Sequence, residues 1–514
     1  MTGKERTRQP ERRPTISNNQ LLLIIIGVLA MILVVLVVVI GIMGKTPAPE
    51  TAGSQGTTVP TQSEPVTEPT ESTEPTTQPT QPTQPTTEAP TLPVTPSGGK
   101  YTNVGYGYIA EVIRTNVETF DGKTSDDYSH PTNNYLPEGT LDYCAREPVY
   151  GSSTSYALLR SGHRVYVKKK IYPPTQIVPE IEQYEGMLPD HNEIGFASMT
   201  TRGRHTVLTL DCLWKAPFYF DIAPQKYANP NGGKDRNYAV TSVTATYVDI
   251  TFCYATSFTG TVQIPNGNPL FKSAEVIENE SDYTLRLHLR KKGGFYGWHA
   301  YYNEQDQLCF QFLNPAKVTA AANKYGANLT GVTVMIDVGH GGLDGGAVGK
   351  DATGKQWDES ELNMLLAQAL KAELESVGAT VIFNRTEDVS ININDRLDNL
   401  VETSPDVCIA IHQNSYKDES ITGFDAMYFT PYSKVLAERI AVNTKNTGIY
   451  KKSLFKWSVS YFMMRQTVCP IMLTENGYLS NVEELTGMFT PEVVQKKASA
   501  IAQGISDYFL EINK

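Results

Sequence analysis

What the 514-residue chain lacks is unevenly distributed. Residues 21–43 contain no charge, and residues 45–98 contain almost no large apolar side chain, with 16 Thr and 12 Pro among 54 positions. Beyond residue 44 there is no long basic run, so nucleic acid is not an expected partner. Cysteine is sparse: six in all, none at zinc-ribbon spacing. Cys408 and Cys469 lie beside apolar runs and read as buried free thiols, while pairing among Cys144, Cys212, Cys253 and Cys309 stays open. Together these gaps exclude a purely cytosolic enzyme and a multi-span transporter.

The uncharged run of 23 residues is about 34 Å long as a helix, enough for a ~30 Å hydrocarbon core and too long for a cleavable signal peptide. Residues 1–20 carry five basic side chains against two acidic ones, so this basic tail is expected in the cytoplasm and the rest outside. The expectation is a single-pass signal-anchor in the cell membrane. The Thr/Pro stretch, 44–98, cannot bury a core and reads as a disordered or polyproline-like tether, spanning roughly 170 Å at most. Foldable sequence therefore starts near residue 99.

Residues 99–325 read as a β-rich extracellular domain. Leu208, Leu210, Cys212 and Trp214 alternate with other residues, as do Leu285, Leu287 and Leu289. Gly297–Tyr302 and Leu308–Phe312 suggest a hairpin, and a sandwich or small barrel is the natural architecture. The six histidines here lack metal-ligand spacing. The many Tyr, with Trp214 and Trp298, would either stack on sugar rings or pack internally.

From 330 to 514 apolar runs alternate with helical periods, which predicts an α/β domain: a mixed, mostly parallel sheet with helices on both faces. Sites in such folds gather outside the carboxyl ends of strands. His340 closes the first strand, His412 follows Ile411 and Glu475 follows Thr474; His340 and His412 are the only histidines after position 331. A catalytic zinc takes three protein ligands and leaves one position open, so a carboxylate should complete the pair. On the helix after the glycine loop, Glu359 lies roughly 30° from the apolar centre, Asp358 about 70° and Glu361 about 130°. Glu359 thus points inward, where a carboxylate must be paired or metal-bound. A rival reading, a dinucleotide fingerprint at Gly339-x-Gly341, fails at its last glycine, where Asp344 stands.

Val334–Gly342 (VMIDVGHGG), Glu359-x-x-Leu362-Asn363, Ala410–Asn414 (AIHQN) and Leu473–Asn481 (LTENGYLSN) resemble, in order and spacing, the zinc-dependent N-acetylmuramoyl-L-alanine amidases. The resemblance implies one Zn²⁺ held by His340, Glu359 and His412, catalysis assisted by Glu475, and supporting arginines at Arg385, Arg396 and Arg465. It also implies peptidoglycan as substrate. Departures are Val338 for a usual proline, Asn476 for a usual threonine and Ser360 for a usual lysine. None removes a ligand. The segments Tyr416–Thr422 and Thr444–Tyr461 look too short for the occluding helix of some relatives, so an open site is expected. Two alternatives are a zinc peptidase cutting within the stem peptide and a non-catalytic wall-binding tether.

Overall fold

Short runs of β-branched and apolar residues bounded by polar loops build the C-terminal sheet, because such side chains fit a pleated surface. The computed structural model describes residues 106–121, 130–145, 149–150, 155–173, 175–224, 226–228, 239–242, 244–457 and 461–514. All of these fall in the compact unit Glu68–Lys514. The expected basic tail, signal-anchor and Thr/Pro tether lie outside the described residues. Among the described residues, no helix is long and apolar enough to cross a membrane.

Six strands, β1 (Thr333–Val338), β2 (Thr380–Phe383), β3 (Val407–Asn414), β4 (Phe424–Tyr428), β5 (Ser453–Trp457) and β6 (Ile471–Tyr478), form one sheet in the order β2-β1-β3-β6-β4-β5. β2, β1, β3 and β6 run parallel, β4 pairs antiparallel with β6, and β5 is parallel to β4. The mixed, mostly parallel sheet expected from the alternation of elements is the one observed. Its helices are α1 (Glu359–Glu375), α2 (Ile393–Thr403), α3 (Lys434–Asn446), α4 (Phe462–Arg465), α5 (Val482–Met488) and α6 (Pro491–Ile512). α2 starts where Asn392 accepts from the backbone N–H of Asn394 and Asp395, and α6 where Thr490 caps Val493 ahead of Pro491.

Successive side chains on a strand point to opposite faces. Val334, Ile336, Ile409 and Ile411 therefore pack under Leu366 and Leu370 of α1, Ile440 of α3, and Ile501 and Ile505 of α6. Met335, Cys408 and Ile471 face the other way. They meet Leu400 of α2 and Met463 of α4, and also Phe295, Trp298, Phe310 and Phe312 from the β-rich region. Helices on both faces were expected. On this second face α2 and the four-residue α4 cover only part of the sheet, and a layer of aromatics completes it. An apolar face needs an apolar cover, and a sheet serves as well as a helix.

Among the described residues, the β-rich region holds two larger cores and a small cluster around Trp214 and Tyr254. The first gathers Val112, Leu136, Leu159, Val165 and Ile181. The second is a sandwich. A five-stranded sheet carrying Leu208, Leu210, Trp298 and Phe310 faces a four-stranded one carrying Phe220, Val248, Ile250 and Leu287. The expected hairpin is present, with Trp298–Tyr302 antiparallel to Leu308–Leu313. Trp298 stacks on Phe220 at 4.0 Å between ring centroids and is 1% exposed, and Trp214 is 7% exposed with its indole N–H on the His191 carbonyl. Both tryptophans are packing residues, which withdraws them from sugar stacking. All six cysteines are free thiols, with Cys408 and Cys469 buried as expected. Val318, Tyr325, Ala327 and Leu329 already belong to the C-terminal core, so the chain joins it ahead of residue 330.

Because Trp298 sits where sandwich and sheet share one core, Trp298→Ala should cost about 3–5 kcal/mol. Urea unfolding followed by amide hydrogen exchange in the sandwich and in the C-terminal sheet should show both midpoints falling together; a shift in only one would mean the two regions unfold independently.

Candidate metal centre

Three strand ends supply the site. β1 runs out at Val338 into Gly339-His340-Gly341-Gly342, and His340 adopts φ 58°, a left-handed conformation uncommon outside glycine. This turn throws the imidazole back across the end of the sheet. The chain then makes a short hairpin, Val348–Lys350 with Gln356–Asp358, before α1 begins at Glu359. A dinucleotide loop would lead straight into its helix, so the hairpin closes that reading. A Cβ on Gly346 would lie 2.6 Å from Glu359 Oε2 and 2.7 Å from His340 Cδ2. Only glycine lets the backbone pass there.

His340, Glu359 and His412 converge, each offering one ligand atom within 4.8 Å of the others. His340 Nε2 is 3.1 Å from Glu359 Oε2, and His412 Nδ1 is 2.9 Å from Glu359 Oε1. A tetrahedral zinc with bonds of about 2 Å sets its ligands roughly 3.3 Å apart, so the donor set fits. Glu359 is 4% exposed, as its inward helical position predicted, whereas Glu361 is exposed. Burial alone would raise the Glu359 carboxyl, but hydrogen bonds and charge from His340 and His412 hold it well below the usual carboxylate range. Backbone N–H groups of Ala347 and Gln413 donate to its two oxygens at 2.9 and 3.0 Å. The His340 and His412 side chains keep 26% and 22% exposure, so the centre faces solvent.

One partner escaped the sequence reading. Asp344 Oδ2 lies 2.9 Å from His340 Nδ1, leaving Nε2 to face the cluster. A carboxylate behind a ligating histidine fixes its tautomer and ring orientation. The i,i+4 spacing from His340 was visible, but only the turn of the loop brings the two together. Asn363, one turn beyond Glu359, donates to the Gly339 carbonyl at 3.2 Å and supports Gln413.

Glu475 stands on β6 in register with His412 on β3, and with Asp425 on β4. Cross-strand neighbours in register share a face, so the carboxylate is on the His412 side at 6% exposure. Asn476, the departure from threonine, donates to the His412 and Thr474 carbonyls at 3.0 and 3.1 Å. Its own carbonyl accepts from Tyr450 and from the buried ammonium of Lys497 at 2.8 Å. Burial brings Lys497 down to about 7, against the pull of Glu484.

Of the three expected arginines, two serve the glycine loop. Arg385 donates to the Gly339 and Ser360 carbonyls at 3.1 and 3.0 Å. Arg396, on α2, pairs with Asp337 and donates to Val338 and His340 carbonyls at 3.1 and 3.2 Å. Both hold backbone. Arg465 instead makes a two-point pair with Glu118 of the β-rich region, at 2.6 and 3.0 Å. The pair ties α4 to that region.

Two imidazoles and a carboxylate at the carboxyl ends of a mostly parallel sheet form a site able to hold a metal ion, the kind of centre a hydrolase uses. Residues 334–507 match the family model described as N-acetylmuramoyl-L-alanine amidase, and this stretch of the chain is an enzyme domain of that family. The chain is 29% identical over 225 residues to a probable cell wall amidase LytH of Staphylococcus saprophyticus, covering 43% of this chain and 69% of that protein. It is 26% identical over 205 residues to the N-acetylmuramoyl-L-alanine amidase LytC of Bacillus subtilis, covering 38% of this chain and 39% of that one. The catalytic domain of the amidase CwlV from Paenibacillus polymyxa aligns at 28% identity over 35% of this chain and 99% of its own, with a TM-score of 0.33.

Asp344→Ala should weaken zinc binding by about 10–100-fold, read by competition with a chromogenic chelator. For Lys497, an unfolded chain binds a proton that the folded one lacks between pH ~7 and ~10, so folding stability should climb across that window. In Lys497→Met the climb should shrink, measured as urea midpoints at pH 7 and 9.5.

Proposed function

We propose that this chain is a membrane-anchored cell-wall hydrolase that cleaves the amide between the lactyl group of N-acetylmuramic acid and L-alanine of the stem peptide. The convergence of His340, Glu359 and His412 inside an amidase-family domain is the observation that supports it. In this reading the three residues hold one zinc ion. Zinc, when bound, supplies Lewis acidity and a water acidified towards a pKa of ~7.

The protein's own groups then divide the work. Asp344 keeps His340 in the tautomer that presents Nε2 to the cluster. Arg385 and Arg396 hold the Val338–His340 carbonyls, so the loop keeps its turn while substrate enters and leaves. Glu475, beside His412 in the sheet, takes the proton of the attacking water and returns it to the departing amine. The peptide leaves with a free α-amino group and the sugar keeps a lactyl carboxylate. Residues 21–43 as anchor and 44–98 as tether would set this chemistry outside the membrane, within reach of the wall.

Glu475→Ala should retain a full zinc equivalent and lose at least 10²-fold in turnover on purified wall, with stem-peptide release quantified by mass spectrometry. His340→Ala and His412→Ala should lose the metal itself. Free lactyl carboxylate among the products identifies the amidase; shortened stems with intact lactyl amides would identify a peptidase and overturn the assignment.

A further inference from the structure

A cavity of ≈ 170 Å³ lies between the first β cluster and α2. One water needs only about 10–15 Å³ by this measure, so the space admits a larger solute. Two buried side chains in its wall carry polar atoms without a partner. Glu180 Oε2 is an acceptor and Asn394 Nδ2 a donor, on residues 4% and 7% exposed. Bare buried polar atoms are costly and rare in a folded chain, and here one of each kind belongs to a residue lining the same space.

The charges around them are unequal. The second oxygen of Glu180 is 3.7 Å from Lys169 Nζ, and the Glu118 carboxylate is taken by Arg465. Burial pushes the Glu180 carboxyl up, with Glu118 adding to the rise and Lys169 and Arg114 opposing it. Glu138 and Asp398 stand exposed at the rim, opposed by Arg114. Along its Ile113–Asn116 wall the cavity adjoins a wider groove of ≈ 590 Å³, to which Glu111 and Glu182 add negative charge while Lys215 is engaged by Asp306 at 2.7 Å. His299 Nδ1 is a further buried atom without a partner in that groove, on a residue 8% exposed, and Tyr302 lies beside it in the lining. An acidic lining repels nucleic acids and phosphodiester polymers and attracts cations.

We propose that cavity and groove form a second binding site, distinct from the metal centre, for a short peptide bearing a primary ammonium. The ammonium bonds Glu180 Oε2, a peptide carbonyl accepts from Asn394 Nδ2, and the remaining backbone lies along the groove where His299 and Tyr302 supply polar contacts. The choice of a peptide rests on the proposed amidase reading, in which each turnover frees an α-ammonium; a side-chain ammonium has the same chemistry. Asn394 lies two positions before Arg396 on α2, so one helix contributes to this site and to the clamp on the His340 loop.

The test is calorimetric titration of the full-length protein with three amidated dipeptides: alanyl-alanine (α-ammonium), N-acetyl-alanyl-lysine (side-chain ammonium) and N-acetyl-alanyl-alanine (none). At least one of the first two should bind, the third at least tenfold more weakly, and the better of the two names the ammonium source. Glu180→Gln should weaken that binding at least tenfold. Because Glu180 pairs with Lys169, the exposed double variant Glu138→Gln/Asp398→Asn provides a second arm, with a loss of at least threefold. Equal binding of the acetylated dipeptide, no binding of any, or unchanged affinity in both variants overturns the site. Stem-peptide release from purified wall is read separately on the same preparations. Hydrolysis without binding removes this site and keeps the amidase, and binding without hydrolysis does the reverse.

Discussion

A carboxylate buried like Glu359 stays ionised only if positive charge and hydrogen-bond donors surround it, and that constraint organises the end of the C-terminal sheet. One imidazole approaches it from the loop after β1 and one from β3, and two backbone amides close on its oxygens. Meeting those demands dictates the rest. Gly346 must lack a side chain, His340 must accept a left-handed backbone, and two arginines must hold the carbonyls of a loop so bent. Two imidazoles and one buried carboxylate so placed form a donor set that a cation can complete.

The same sheet has a second obligation on its other face. Met335, Cys408 and Ile471 require cover that α2 and α4 are too small to give, and the sandwich supplies it with a layer of phenylalanines and Trp298. Arg465 and Glu118 add a buried ion pair at the edge of that contact. Removing one partner of such a pair is costlier than the pair's net contribution, so it acts as a register for docking more than as a source of stability.

What could be read from the chain follows from where the information is local. Apolar runs located three strands, the first ending at Val338 as expected and the other two running past Ile411 and Thr474 to Asn414 and Tyr478, and helical periodicity alone turned Glu359 inward. Asp344 was overlooked because its role depends on a loop geometry that no periodicity encodes. The pairing of Arg465 with Glu118 was not legible because the two lie 347 positions apart. Alternation in β1 and β3 told that both faces were apolar, but not which part of the chain would lie on each. The aromatics of the β-rich region looked equally suited to ligands and to packing, and only burial separates those uses.

The shared face also bears on how the enzyme can be handled. Cutting the chain at 330 to isolate the catalytic portion would strip Met335, Cys408 and Ile471 of their aromatic lid and expose Leu400 and Met463 beside them. A fragment so trimmed would carry a greasy plate wide enough to drive self-association. The C-terminal sheet has to travel with its sandwich.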